Sequence, residues 1–267
     1  MTEPTLQDQI DAATAYEALF VPALFGQWAS KVADAAQTRA GQRVLDVACG
    51  TGILAREVAS RTGTTGCVVG IDPSPGMIAV AKQLAPGVVW REGVAESLPF
   101  HDRSFDSVVS QFGLMFFTDR RQSLREMLRV LAPGGRLAVA VWDVLDNIPA
   151  YASEVALLEQ TAGRRAADAL RAPFVLGNRN DLTALFAEGG APSAEITTHH
   201  GVAQFPSIRT MVEADLRGWL PVMGVILTEE QIGRVLLRAE HALSSYATAD
   251  GRVTFRLSAH LVTATKP

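Results

Sequence analysis

Val44-Leu45-Asp46-Val47-Ala48-Cys49-Gly50-Thr51-Gly52 is an apolar strand-like run that breaks into a glycine turn and opens a segment of helical period. Glycine lets the chain turn tightly there and bring its N–H groups against a ligand with no Cβ in the way. Outward from this turn, between Arg43 and Trp142, short β-branched runs alternate with helical stretches, the pattern of a parallel sheet wound with helices. Strands are expected at Arg43–Val47, Cys67–Asp72, Val88–Arg91, Phe105–Gln111 and Arg136–Trp142. Helices are expected at Ile53–Ser60, Gly76–Leu84 and Arg120–Leu131, the last entered through Asp119 as N-cap and closed by Pro133-Gly134-Gly135.

On either side of this region the sequence is more helical. Asp11 to Ala36 carries apolar residues at helical spacing, with Phe20, Phe25 and Trp28 large enough to need a surface to cover. Pro149 to Gly190 is rich in Ala, Leu and Arg and reads as helix. It is followed by a strand at Glu195–His200, helices near Ser207–Leu220 and Glu229–Tyr246, and a last strand at Val253–Thr265. The expected fold is α/β: a Rossmann-like doubly wound sheet, mostly parallel with a late antiparallel strand, plus helical lid segments. Residues 1–40 form an N-terminal helical lid, 41–148 the ligand-binding core, 149–190 a helical insertion, and 191–267 complete the sheet and the substrate side, all within one compact domain.

The chain has 267 residues, 48% of them hydrophobic and 19% charged, enough apolar material for a full core. Its net charge of −4 argues against a nucleic-acid partner, whose phosphates are bound through excess Lys and Arg. Arg121, Arg125 and Arg129 fall on one helix face, but Leu124, Met127, Leu128 and Leu131 lie opposite, so the stripe reads as a solvated outer face. Apolar runs such as Leu137 to Trp142 fall far short of the roughly 20 residues that span a bilayer, and the opening MTEPTLQDQ lacks a secretory pattern. A cytoplasmic location without membrane insertion is expected, and the reading allows a homodimer. Cys49 and Cys67 have no metal-ligand spacing and read as buried free thiols; no metal is expected.

Gly50-x-Gly52-x-x-Ala55 also satisfies the dinucleotide fingerprint, with Asp72 ending the next strand. A pyrophosphate seated on helix N–H groups is ill served by a carboxylate nearby, and Asp46 stands four residues before Gly50. That placement suits a positively charged ligand. S-adenosylmethionine carries an ammonium and a sulfonium and no phosphate.

VLDVACGTG, GIDPSPGM, EGVAESLPF, FDSVVSQFGLMFF and VLAPGGRLAVAVW, in this order from about Gly41 to Trp142, resemble the successive motifs of class I S-adenosylmethionine-dependent methyltransferases, particularly the ubiquinone/menaquinone-biosynthesis-type branch. The resemblance implies S-adenosyl-L-methionine as cofactor and S-adenosyl-L-homocysteine as product. It implies that Asp46, Gly50 and Gly52, with Ala48, line the methionine end, that Asp72 with Pro73 beside it holds the ribose, and that Met77 packs on the adenine. Ser74 as N-cap and Pro75 at the first helical position would fix the helix presenting Met77. The sequence departs from the family where the third motif usually reads G-D-A: Val94 replaces the Asp. The adenine is then expected to rest on the backbone around Ala95 and Glu96, at a cost of about 1 kcal/mol for one lost hydrogen bond.

Gln111 ends the fourth strand, near both the cofactor's methionine end and the acceptor. Phe112, Met115, Phe116 and Trp142 are candidates for the acceptor pocket, with Phe25, Trp28 and Trp219 from the flanking helices. Methyl transfer is an in-line displacement that needs alignment and exclusion of water more than a catalytic triad. Tyr16, His101 and His200 are candidates for a base, without forming a constellation. The expected activity is C- or O-methylation of a small lipophilic or aromatic acceptor; the alternatives are a non-catalytic S-adenosylmethionine-binding module and an RNA or protein methyltransferase.

Overall fold

The computed structural model describes residues 5–267. Seven strands form one sheet: β1 (Arg43–Val47), β2 (Cys67–Asp72), β3 (Val89–Glu92), β4 (Phe105–Gln111), β5 (Leu131–Trp142), β6 (Glu195–Phe205) and β7 (Val253–Thr265). Their order is β3-β2-β1-β4-β5-β7-β6. The first five run parallel, and β7 lies antiparallel to both β5 and β6. The mostly parallel sheet with one late antiparallel strand is therefore the architecture the alternating pattern implied. Val44, Leu45, Val108, Val109, Leu137 and Val139 are fully buried, as expected of strands covered on both faces.

The helices are α1 (Leu6–Phe20), α2 (Gly26–Ala35), α3 (Ile53–Thr62), α4 (Pro75–Leu84), α5 (Arg120–Val130), α6 (Pro149–Ala162), α7 (Arg164–Arg171), α8 (Arg179–Glu188), α9 (Ile208–Ala214), α10 (Leu220–Val222) and α11 (Glu229–Ala242). Two π-helical turns interrupt them, Val21–Phe25 between α1 and α2 and Asp215–Trp219 after α9. Helix α3 packs on β1 and β2, α4 on β2 and β3, α5 on β4 and β5, and α2 across β4, β5 and β7, while α1 crosses α4. The start of α4 follows the sequence reading: the Ser74 hydroxyl accepts from the Met77 N–H, and Pro75 opens the first turn.

Three local expectations are corrected. Helix α5 does not end on Pro133-Gly134-Gly135; it passes at Leu131 directly into β5, and those residues form an irregularity between the Phe105↔Leu131 and Ser107↔Arg136 pairs. The carbonyls at its end are instead taken by the Lys266 ammonium, at 2.6 Å from Leu128, 3.2 Å from Arg129 and 2.7 Å from Leu131. Cys67 begins its strand exposed, leaving only Cys49 buried. Strand β6 runs on to Phe205, because β7 offers it pairing partners as far as Val253.

The register places the site. Ala259 of β7 pairs with Trp142 at the carboxyl end of β5, so Val253–Ser258 continue past that edge, accompanied by β6. This extension carries Phe255, on which Tyr151 of α6 rests edge-on at 5.6 Å, so that the late helices are carried beyond the carboxyl edge. At the outer margin of the sheet, Gln27 of α2 donates to the Val202 carbonyl and accepts from its N–H, both at 2.8 Å, and Arg179 donates to the Ile196 carbonyl at 2.9 Å.

Candidate active site

The turn after β1 is held in left-handed geometry at Ala48 (φ 57°), Gly50 (φ 54°) and Gly52 (φ 89°). The two glycines are there for different reasons. A Cβ on Gly50 would meet nothing within 4 Å, so this position faces open space. A Cβ on Gly52 would lie 2.3 Å from the Trp90 ring, which also fills the place of a side chain on Gly70. Gly50 therefore leaves room for a ligand and Gly52 leaves room for Trp90. Trp90 was not a candidate on sequence; a tryptophan in a short, otherwise exposed edge strand was the available signal.

Tyr16, Phe25, Asp46, Ala48, Cys49, Gly50, Thr51, Ile53, Leu54 and Gln111 line a narrow cleft at the carboxyl end of β1 and β4. Asp46 is 1% exposed, and neither of its carboxylate oxygens has a hydrogen-bond partner. Burial pushes its carboxyl well above the usual range and the charge of Asp72 adds to this, while the nearby Ala55 backbone N–H opposes it only in part. Asp72 accepts from the N–H of Gly50 on one oxygen and from that of Ser74 on the other, both at 2.9 Å, so it braces the glycine turn against the start of α4. Each of its oxygens keeps a lone pair for a further donor. Gln111 donates to the Phe25 carbonyl at 3.1 Å and leaves its own buried carbonyl oxygen unpartnered.

Helix α1 closes the cleft from above. Glu17 accepts from the Thr51 hydroxyl at 2.5 Å and from Arg56 at 2.6 Å, and the backbone of Gln9 lies against Gly76 so closely that a Cβ there would stand 2.4 Å from its carbonyl oxygen. Tyr16 stacks on Phe25 with ring centroids 5.4 Å apart. Burial, aided by Asp72 and Glu17, pushes the Tyr16 hydroxyl up, so it stays protonated and cannot serve as a base at neutral pH. No sequence reasoning singled out Glu17; nothing in a helix sequence marks which acid will reach a distant loop.

The remaining candidates disperse. Met77 is partly exposed on α4 and Pro73 exposed before it, while Ala95 is buried. The Glu96 carboxylate accepts from the N–H groups of Thr118 at 2.8 Å and Asp119 at 3.3 Å, which occupies it with the entry to α5. Val94 is exposed. Phe112, held at φ 57°, stacks on Trp142 at 3.8 Å, and Trp28 meets both rings edge-on; with Met115 they are buried. Phe116 is exposed and its ring lies 5.2 Å from that of Trp219. His101 precedes β4 and so stands exposed at the end of the sheet opposite the cleft. His200 is exposed on the outer strand. A histidine not considered, His260, has the look of a catalytic dyad with Asp143 at 3.2 Å, yet both ring nitrogens are engaged, one by the Gly177 carbonyl and one by the Thr198 hydroxyl.

The cleft fits S-adenosylmethionine better than a dinucleotide: an unpartnered buried carboxylate complements a cation, and it would repel a pyrophosphate brought to the same turn. The sheet order and the glycine turn are those of a Rossmann-like fold, and the carboxylate suits a cationic ligand at that turn. Residues 45–139 match the family of the methyltransferase domain. Over 138 residues the chain is 38% identical to the ubiquinone/menaquinone biosynthesis C-methyltransferase UbiE of Geobacter sulfurreducens, covering 48% of this chain and 54% of that one. Over 114 residues it is 45% identical to the demethylmenaquinone methyltransferase of Renibacterium salmoninarum, covering 43% and 47%. The chain thus spans about half the length of these curated relatives. A crystallised phosphoethanolamine N-methyltransferase 2 of Haemonchus contortus, in complex with S-adenosyl-L-methionine, shares the fold at a TM-score of 0.59 and 19% identity, over 98% of this chain and 58% of that one. Between residues 45 and 139 the chain is thus similar to a methyltransferase domain, and the curated relatives it matches there include enzymes of the ubiquinone/menaquinone type.

Proposed function

We propose that the protein is an S-adenosylmethionine-dependent methyltransferase acting on a small lipophilic or aromatic acceptor. The observation that carries this reading is the buried, unpartnered carboxylate of Asp46 in a cleft that also contains the open backbone of Gly50. The quinone-biosynthesis names of the curated relatives support a ring carbon or phenolic oxygen as the methylated atom. Among the described residues no helix is long and apolar enough to cross a membrane, and we assign the protein to the cytoplasm.

Bound in the cleft, S-adenosylmethionine supplies a methyl group activated by its sulfonium. Asp46 would give its positive end a carboxylate, and Asp72 would offer the ribose hydroxyls the lone pairs that its backbone donors leave free. The free carbonyl of Gln111 orients the donor end. Tyr16 and Phe25 exclude water from the line of transfer, the protein's main contribution to a displacement whose leaving group is already activated. With Tyr16 held protonated and His101 remote, neither of these candidates is placed to remove a proton, which favours an acceptor that is already nucleophilic, such as a phenolate or its ring carbon.

Isothermal titration with S-adenosylmethionine and, separately, NADH tests the reading. Micromolar binding of the first, none of the second, and weakening of roughly tenfold or more in Asp72→Ala and Asp46→Asn are expected, since each loses a charge-assisted contact. A well-folded protein that binds no S-adenosylmethionine would refute it.

A further inference from the structure

Helices α1 and α2 follow one another in the sequence but are held in different ways. Helix α2 belongs to the core: Trp28, Val32 and Ala33 are fully buried, Gln27 takes up both main-chain groups of Val202, and Arg136 of β5 donates to the Ala35 carbonyl at 2.6 Å. Helix α1 buries only Ala13 and Phe20. Near the glycine turn it is held by a network of three side chains, in which Glu17 accepts from the Thr51 hydroxyl and from Arg56, and Arg56 also donates to the Thr51 carbonyl at 2.7 Å. Glu17 and Arg56 are both partly exposed, so water competes for this contact.

The joint between the two helices is weak. In the π-helical turn Val21–Phe25 the hydrogen bonds reach back five residues, from the Val21 N–H to the Tyr16 carbonyl and from the Gly26 N–H to the Val21 carbonyl, and Pro22 has no N–H to add. Helices bend where the ladder is interrupted in this way. Further along α1, the seat is a notch in α4. Gly76 is buried there, and the three nearest neighbours of a Cβ built on it all belong to Gln9: the carbonyl oxygen at 2.4 Å, the carbonyl carbon at 2.5 Å and the Cβ at 2.7 Å. Gly76 is not among the glycines with positive φ, so its backbone does not call for glycine and the close passage of α1 does.

We infer that α1 alone is a hinged lid: it swings about the π-helical turn Val21–Phe25 while α2 stays on the sheet, and the cofactor enters and leaves through the opened state. Tyr16 rides on α1 and lines the cleft against Phe25, so the swing withdraws one wall of a narrow site. It also uncovers the start of α4, next to Asp72, and frees Thr51 between the two glycines of the turn. The Glu17, Thr51 and Arg56 network is the latch of the closed state and Gly76 its seat. The inference rests on the methyltransferase reading for the identity of the ligand; the division between a moving α1 and a fixed α2 is measurable without one.

Two measurements test it. In hydrogen exchange on the protein alone, the amides of residues 10–20 exchange at least about tenfold faster than those of residues 28–35, and S-adenosylhomocysteine slows the first group. In stopped-flow mixing, Gly76→Ala unseats α1 and raises both the association and the dissociation rate of S-adenosylhomocysteine by about fivefold or more, while exchange at β1 and α2 stays slow. Exchange of α1 and α2 at one common rate, or S-adenosylhomocysteine rates unchanged in Gly76→Ala, would overturn the lid. A rise in dissociation alone would also overturn it, since that marks a lost ligand contact and not an easier opening. Failure of S-adenosylhomocysteine to bind the native protein would instead overturn the methyltransferase reading, and the exchange contrast between α1 and α2 would still decide the lid.

Discussion

Gly50 and Gly52 look equivalent in the sequence and differ in what they touch. Gly50→Ala adds a side chain into open space and suffers only the left-handed backbone, about 1–2 kcal/mol. Gly52→Ala has the same backbone penalty and also drives a methyl into the Trp90 ring, adding about 1–3 kcal/mol of overpacking. Chemical denaturation of both variants is expected to show Gly52→Ala clearly the less stable, with Gly50→Ala the one that loses more cofactor affinity per unit of stability lost. The glycine spacing was readable in the sequence because it is local. Trp90's part in it was not, because β3 reaches the turn only through the pairing of β2 with β3. The same limit hid Glu17 and His260, and the packing of Phe112, Trp28 and Trp142 on one another.

Elements were more legible than their ends. Periodicity places every strand and the main helices, since a face buried over several turns writes itself into the sequence. The end of α5 escaped it: Pro-Gly-Gly is a helix stop by composition, but Lys266, more than 130 residues away, takes the last carbonyls. Lys266→Ala is expected to cost about 1–2 kcal/mol, measured by urea denaturation, and to speed hydrogen exchange at the close of α5. Helix α1 is tied to the glycine turn by Glu17 through Thr51 and Arg56. Because that pair is partly exposed, Glu17→Ala should cost only about 0.5–1 kcal/mol of stability. Its larger effect is expected on the dissociation rate of S-adenosylhomocysteine, faster by several fold in stopped-flow measurements; an unchanged rate would mean that α1 does not hold the cleft shut.

At the scale of the whole molecule, the buried acids set how stability responds to pH. The Asp46 carboxyl is raised in the folded protein, chiefly by burial, so the native state binds its proton more tightly than the unfolded chain does. Stability from this group is complete below the unfolded value of about 4 and is lost as pH rises towards the raised native value. Without cofactor, Asp46→Asn should therefore melt close to the native protein near pH 4 and progressively higher than it towards pH 8, as calorimetry would show. Saturating S-adenosylmethionine is expected to reverse the order at pH 8, since the ligand's cation needs the ionised carboxylate.

The amide of Gln27 and the guanidinium of Arg179 lie on the one long margin of the sheet that no further strand covers. By taking up the main chain of Val202 and Ile196, they remove hydrogen-bonding groups that an incoming strand from another molecule would need. Pairing of two copies through β6 is therefore disfavoured at these two positions. The same two side chains interrupt the open edge on which strands from many chains could stack.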